Sequence, residues 1–269
     1  MPTLQFTKMN GAGNDFVMLD NRDLSLSLDN AMIARLCDRH RGVGADGLLA
    51  VEPAQNGADF RMRYYNADGG EAEMCGNGAR CFARYASRVG KKSGAITFET
   101  LAGTIGAKLV GENVRLAMSA PHSLAIGTEL TVAGEKLTVH FLNTGVPHAV
   151  VFVEDLEKTD ILRLGAALRY HTHFAPKGTN ANFAAKLPGG GIAIRTYERG
   201  VEGETLACGT GVTAAALIHS RLSGAESPVS VAVRGGDTLH VGFDRDCDGW
   251  SNVSLTGPAD FVFDGTATI

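Results

Sequence analysis

The sequence predicts an α/β protein of the α+β type, made of two pseudo-symmetric lobes. Each lobe is expected to be a strongly curved, mainly antiparallel sheet or partial barrel around a central helix. Three observations lead there. Apolar and polar residues alternate with period two along much of the chain, the pattern of half-buried strands. The stretches EMCGNGARC (73–81) and LACGTGVTA (206–214) each set a cysteine before Gly-x-Gly and an alanine-containing run that reads as a helix. The two cysteines, Cys75 and Cys208, stand 133 residues apart, and NGAGNDFV from Asn10 aligns with NTGVPHAV from Asn143 at that same offset.

In chain order, residues 29–40 place Met32, Ile33, Leu36 and Cys37 on one helical face, with Asp29 as the N-cap. FRMRYYN (60–66) is a strand, and the helix after Cys75 lines one side with Ala79, Phe82, Ala83 and Ala86 and another with Arg80, Arg84 and Arg88. NVRLAMS (113–119) and EKLTVHF (135–141) are strands, residues 160–168 a helix through Ile161, Leu164 and Leu168. GIAIRTY (191–197) and VSVAVRG (229–235) are again strands, and VTAAALI (212–218) is apolar all round, as a helix enclosed by sheet must be. Tyr65-Asn66 precedes Cys75 much as Tyr197-Glu198 precedes Cys208, one residue out of step. The duplication puts a first lobe at residues 1–118 plus 257–269 and a second at 119–256, the last residues returning to the first lobe as a strand.

A net charge of −4 gives no basic footprint for nucleic acid, so the expected partner is a small molecule. No stretch approaches the roughly 20 apolar residues of a membrane span, and MPTLQFTKMNG lacks the apolar core of a signal peptide, so a cytoplasmic location is expected. Five cysteines (37, 75, 81, 208, 247), without Cys-x-x-Cys spacing, favour reduced thiols. No metal site is expected: the gap between Cys75 and Cys81 does not suit zinc, and His171-Thr172-His173 lacks a third ligand and reads as surface loop. Cys37, Cys81 and Cys247 read as packing residues. Asn10 and Asn182 read as backbone or sheet-edge caps.

A thiol at a helix start is held where unpaired N–H groups and the helix dipole favour its thiolate, and the same turn can hold a carboxylate. Two such units suit a reaction that removes a proton from one face of a carbon and returns it to the other. An ordinary thiol pKa of about 8.5 lets one sulfur be thiolate while its counterpart stays protonated.

KMNGAGNDFV, RGVGADGLL, YYNADGGEAEMCGNGARC, NTGVPH, GTNANF and RTYERGVEGETLACGTG, in this order across nearly the whole chain, resemble the motif series of the diaminopimelate epimerase family. The resemblance implies an isomerase that needs no cofactor, pyridoxal phosphate included. It would convert LL-2,6-diaminopimelate to the meso form in lysine and peptidoglycan biosynthesis, with the substrate between two similar lobes. It assigns Cys75 and Cys208 as the acid/base pair, with His148 and Glu198 tuning their proton affinity. Gly76, Asn77, Gly209 and Thr210 would cradle the reacting carboxylate, and Asn14, Asn66, Asn180, Glu198 and Arg199 would contact the substrate, Arg199 and the asparagines at its distal end. Gly47 and Val146 stand where many relatives carry side-chain amides, which implies fewer or water-mediated distal contacts. A homodimer through the first lobe and its C-terminal strand is implied, with Phe263 where Tyr is common.

Two other readings fit part of the pattern. A proline or hydroxyproline racemase shares the two-thiol logic but has a ring substrate without a second amino acid group. A redox switch would pair the two thiols as a disulfide and leave the anion cradles without purpose.

Overall fold

In the computed structural model, residues 3–246 and 249–268 are described; Cys247 lies outside them. The chain divides into two compact units, residues 1–116 with 257–269, and residues 117–256.

The first unit runs β1 (Thr3–Gly11), β2 (Asn14–Asp20), α1 (Asn30–Cys37), β3 (Gly47–Glu52), β4 (Phe60–Asn66), α2 (Gly76–Gly90), β5 (Ala95–Thr100), β6 (Gly103–Val110) and β7 (Asn113–Ala117). The C-terminal strand Asp260–Thr268 pairs antiparallel with β1, from Thr3 opposite Thr268 to Asn10 opposite Asp260. From that strand the pairings run antiparallel to β1, antiparallel to β2, parallel to β3, antiparallel to β4, parallel to β5, then antiparallel to β6 and β7.

The second unit runs β8 (His122–Val132), β9 (Glu135–Asn143), β10 (Pro147–Phe152), α3 (Ile161–Arg169), β11 (Asn180–Lys186), β12 (Ile192–Glu198), β13 (Gly203–Thr205), α4 (Gly209–Ser223), β14 (Val229–Val233), β15 (Thr238–Arg245) and β16 (Trp250–Pro258). Its ladder from β8 through β9, β10, β11, β12, β14 and β15 to β16 has the same order of antiparallel and parallel pairs as the first. The offset of 133 between the two cysteines is therefore a repeat of architecture.

The parallel pairs refine the expectation of mainly antiparallel sheet. Each needs a crossover, and each crossover contains one α-helix: α1 joins β2 to β3, α2 joins β4 to β5, α3 joins β10 to β11, and α4 lies between β12 and β14. Helices then cover both faces of the strands beneath. In the first unit Ile33 and Leu36 of α1 pack with Val17, Leu19, Leu48 and Ala50 on one face. On the other, Gly78 of α2 lies against Phe16 and Leu49. A strand covered twice loses its alternation, which is why GLLAVE of β3 is buried at every residue. The second unit repeats this, with Ile161, Leu164 and Leu168 of α3 on Ala149, Val151, Ala181 and Phe183, and α4 on the opposite face.

Caps set the helix ends. Asp29 accepts from Met32 N at 2.8 Å and Asp160 from Arg163 N at 3.1 Å, so both expected outer helices start where the sequence places them. The two central helices are each 15 residues long and end in the left-handed region, at Lys91 and Gly224. α4 is buried at nearly every residue from Gly209 to Ser220, as its all-round apolar sequence requires. The arginine side of α2 is covered: Arg80 is fully buried, and Arg84 and Arg88 lie over Phe261 with guanidinium carbons 5.0 and 4.3 Å from the ring centre. The returning C-terminal strand turns Arg84 and Arg88 into packing groups.

α2 is seated largely by Phe82, whose ring centre is 4.8 Å from that of Phe98, both fully buried. Phe82→Ala should therefore lower stability by about 3–5 kcal/mol in urea unfolding. A loss under about 1 kcal/mol would mean that this contact does not hold the helix.

Candidate active site

Each cysteine caps the helix that its unit encloses. Cys75 has φ −135° and ψ 125°, Cys208 φ −122° and ψ 106°, and in neither does the side chain make a capping bond to a first-turn backbone amide. That differs from an ordinary N-cap, whose side-chain oxygen accepts from a first-turn amide. Gly76 and Asn77 open α2, and Gly209 and Thr210 open α4, so the residues expected to cradle a carboxylate are first-turn residues whose amides have no acceptor within the helix. Cys75 is partly exposed; Cys208 is buried, with its sulfur 3.6 Å from Thr210 Oγ1. Burial pushes the thiols of Cys37 and Cys81 up to about 11 and about 12, in keeping with their reading as packing groups.

In the first unit, strand register brings the expected polar residues to one end of the sheet. Asn14 opens β2, Gly47 opens β3 opposite Asn66, and Asn66 closes β4. Asn77 Nδ2 donates to Asn14 Oδ1 at 2.7 Å, while Asn77 Oδ1 accepts from the buried Arg80 at 2.9 Å. Arg80 also donates to the Pro258 carbonyl at 3.1 Å. Asn14 Nδ2 donates to Asp46 at 2.9 Å, and Arg39 ties Asp46 to Asp15 with bonds of 2.8 Å to each. Lys8 completes the chain with an ion pair to Asp15 at 2.8 Å. The side-chain amides of Asn14 and Asn77 are thus oriented by ions that sequence reasoning did not single out.

Gly47 has a structural cause. A Cβ there would meet the Tyr65 carbonyl oxygen at 2.5 Å and Tyr64 Cε2 at 3.0 Å. The Tyr64 ring, 6.3 Å from that of Phe16, sits against this position, and its hydroxyl donates to Asn66 Oδ1 at 3.0 Å. Tyr64 is a polar contact of Asn66 that the expectation of lost contacts at Gly47 overlooked.

In the second unit, His148 opposes Asn180 across the parallel pair, and Glu198 closes β12 as Asn66 closes β4. His148 is fully buried, and its pKa is lowered to about 3 by burial first and by the charge of Arg199 second, against a hydrogen bond with Asn182. The imidazole is therefore neutral at physiological pH. Burial raises the proton affinity of the Glu198 carboxyl, with the side chains of Thr205 and Cys208 pulling the other way. Asn180 donates to the Pro147 carbonyl at 3.2 Å and accepts from Arg199 N at 2.8 Å, which fixes the backbone that carries the arginine.

Asn10 acts as the turn cap expected of it, accepting from Gly13 N at 3.1 Å. Asn182 does not: it lies within β11 and its side chain reaches His148, the Ala149 carbonyl and Thr196. The parallel pairing, invisible in the local sequence, brings it there. His171 caps a short 3₁₀ turn that contains His173, and among the described residues no group of three or more His, Cys, Asp or Glu side chains could hold a metal ion. Nor is any described helix long and apolar enough to cross a membrane.

A sequence profile for the family described as diaminopimelate epimerase matches residues 6–123 and 140–262. A diaminopimelate epimerase from Aquifex aeolicus is 44% identical over 275 residues, covering 97% of each chain. Among solved structures, a phenazine biosynthesis protein of the PhzF family from Bacillus anthracis aligns with a TM-score of 0.74 at 18% identity, over 100% of both chains. A hydroxyproline epimerase from Agrobacterium vitis aligns with a TM-score of 0.69 at 15% identity, over 98% of this chain and 92% of its own. At those identities the two structures share the fold alone.

The ion chain behind Asn14 gives a pH-dependent prediction. Burial pushes the Asp15 carboxyl up, but hydrogen bonds from Arg39 and Lys8 and the Lys8 charge outweigh it and hold the group well below the usual carboxylate range. A depressed folded value stabilises above the unfolded pKa of about 4 and is lost as pH falls from there toward the folded value. The stability gap between the protein and Asp15→Asn should be constant from about pH 7 to 5 and shrink below about pH 4. A gap that stays constant into strong acid would contradict the assignment.

Proposed function

Because the chain belongs to the diaminopimelate epimerase family, we propose that it is an isomerase interconverting LL- and meso-2,6-diaminopimelate, in lysine and peptidoglycan biosynthesis. The observation that carries this reading is the repeated cysteine cap: two sulfurs, one per unit, each left out of the capping bond at the start of an enclosed helix.

The chemistry follows from that pair. In one direction the thiolate of Cys208 takes the α-proton as the C–H bond breaks, and the thiol of Cys75 delivers a proton to the opposite face of the same carbon; the reverse reaction exchanges the roles. Electrons left on the α-carbon spread into its carboxylate, which the first-turn amides of Gly76, Asn77, Gly209 and Thr210 hold as its charge grows. His148 and Glu198 tune the thiols, Glu198 from beside Cys208. Asn14, Asn66, Asn180 and Arg199 receive the distal amino acid group, with Tyr64 steadying Asn66. The two thiols supply both proton transfers, so the reaction calls for neither pyridoxal phosphate nor a metal. Reduced thiols agree with a cytoplasmic location.

We also infer a homodimer through the first unit. Val262 and Phe263 of its C-terminal strand are exposed, and Phe6, Met32, Leu36, Val43 and Phe263 line a groove of about 1080 Å³ beside them. Asp29, Arg35 and Arg41 also line the groove, and a surface that sets apolar side chains beside charges of both signs is suited to a second copy.

Incubating the protein with LL-diaminopimelate in deuterium oxide, with no cofactor added, should give the meso product with deuterium at the inverted α-carbon. Cys75→Ala and Cys208→Ala should each lower turnover by at least about a thousandfold. Turnover of proline or hydroxyproline instead would favour a racemase of the other substrate class, and full activity in either variant would overturn the two-thiol mechanism.

A further inference from the structure

Asn182 holds the key to the protonation of His148. Its Nδ2 is 2.9 Å from the Ala149 carbonyl oxygen and 3.1 Å from His148 Nδ1, and its Oδ1 accepts from Thr196 Oγ1 at 3.0 Å. The amide cannot be turned over, because its carbonyl oxygen would then face the Ala149 oxygen at 2.9 Å with no proton between them. With one Nδ2 hydrogen on Ala149, the other goes to His148 Nδ1 at 3.1 Å in preference to the Asn180 carbonyl oxygen, which is farther at 3.5 Å. Nδ1 therefore carries no proton, and the imidazole proton sits on Nε2.

Nε2 is buried and finds no hydrogen-bond partner among the described residues. A buried donor left without an acceptor is costly, so its persistence points to use. The ring lies beside the first turn of α4: a Cβ on Gly211 would come 3.3 Å from His148 Cε1 and 2.3 Å from Asn182 Oδ1. The glycine that closes Cys-Gly-Thr-Gly is thus what lets the His148–Asn182 pair reach the turn that Cys208 opens.

We propose that Asn182 is a positioning residue for the epimerisation, which, with Thr196, locks His148 as a neutral Nε2–H donor aimed at an anion of the reacting site. This rests on the function proposed above. The consequence is chemical. An imidazole that titrated beside the thiols would offer a third home for the migrating proton and loosen the coupling between removal and return. An imidazole whose Nδ1 is already occupied as an acceptor donates a hydrogen bond without exchanging roles with sulfur. The groups packed on the ring agree: Leu142 and Asn180 on the flanking strands and Gly211 on the helix are uncharged, and the charge that acts on it is the cation of Arg199. A second positive charge is disfavoured there.

The test is nitrogen NMR of the substrate-free protein with labelled histidine, the His148 signals being identified by their loss in His148→Gln. The expected spectrum has a bare, hydrogen-bonded Nδ1 and a protonated Nε2, unchanged between pH 5 and pH 9. Asn182→Asp replaces the donor with an acceptor and should draw a proton onto Nδ1, add an ionisation to the pH profile of kcat, and lower kcat by about tenfold or more. A wild-type His148 protonated at Nδ1, or titrating within that pH range, would overturn the proposal even if the variant fails to fold. So would a folded Asn182→Asp with the wild-type tautomer and pH profile. Since the spectrum needs no substrate, a correct tautomer in a protein that does not turn over diaminopimelate would count against the function and not against this assignment.

Discussion

A helix start left uncapped by its own cap residue is the constraint around which both units are organised. Cys75 and Cys208 adopt the extended backbone of an N-cap, yet their sulfurs make no capping bond to a first-turn amide. That leaves amide donors available to an anion and a sulfur beside them, an arrangement that would cost stability in a helix without other support. The support comes from burial. α2 and α4 each lie against strands whose opposite face carries a second helix, so packing and not capping keeps the first turn in place.

The repeat is architectural, and the polar surroundings of the two sulfurs are not repeated. In the first unit the neighbouring amides are held by ions: Arg80 fixes Asn77, and Lys8, Asp15, Arg39 and Asp46 fix Asn14. In the second they are held by neutral bonds among Asn182, Thr196 and His148, with Glu198 the carboxyl whose proton affinity burial raises. Two similar scaffolds thus present two electrostatically different environments. An enzyme that starts from one stereoisomer with one sulfur ionised and the other protonated needs such a difference.

Much of this was legible in the sequence, and the failures have physical causes. Alternating strands such as β4, β9 and β12 and the two cysteine turns carry their signals locally, through period and glycine. Strands β3 and β11, covered by helices on both faces, do not. GLLAVE and the core of NANFAAK are buried on both faces and lose alternation, so the crossovers that define each unit were invisible. Helical period places Arg80 on a side with Arg84 and Arg88 but does not show its partners, because its bonds to the Gly11 and Pro258 carbonyls reach 69 and 178 residues away. Asn182 reads as a cap because its partner, His148, is 34 residues away and reached through parallel pairing. Its trace in the sequence is indirect: the second glycine of Cys-Gly-Thr-Gly marks a close approach whose other side only the fold supplies.

The central claim is that two sulfurs serve one carbon. A bis-thiosulfonate with a single-carbon spacer measures this directly, by peptide mass spectrometry of the modified protein. The account predicts one reagent bridging the peptides of Cys75 and Cys208, with bridging suppressed by diaminopimelate. Separate modification of each thiol, with no bridged peptide and no protection by substrate, would contradict it.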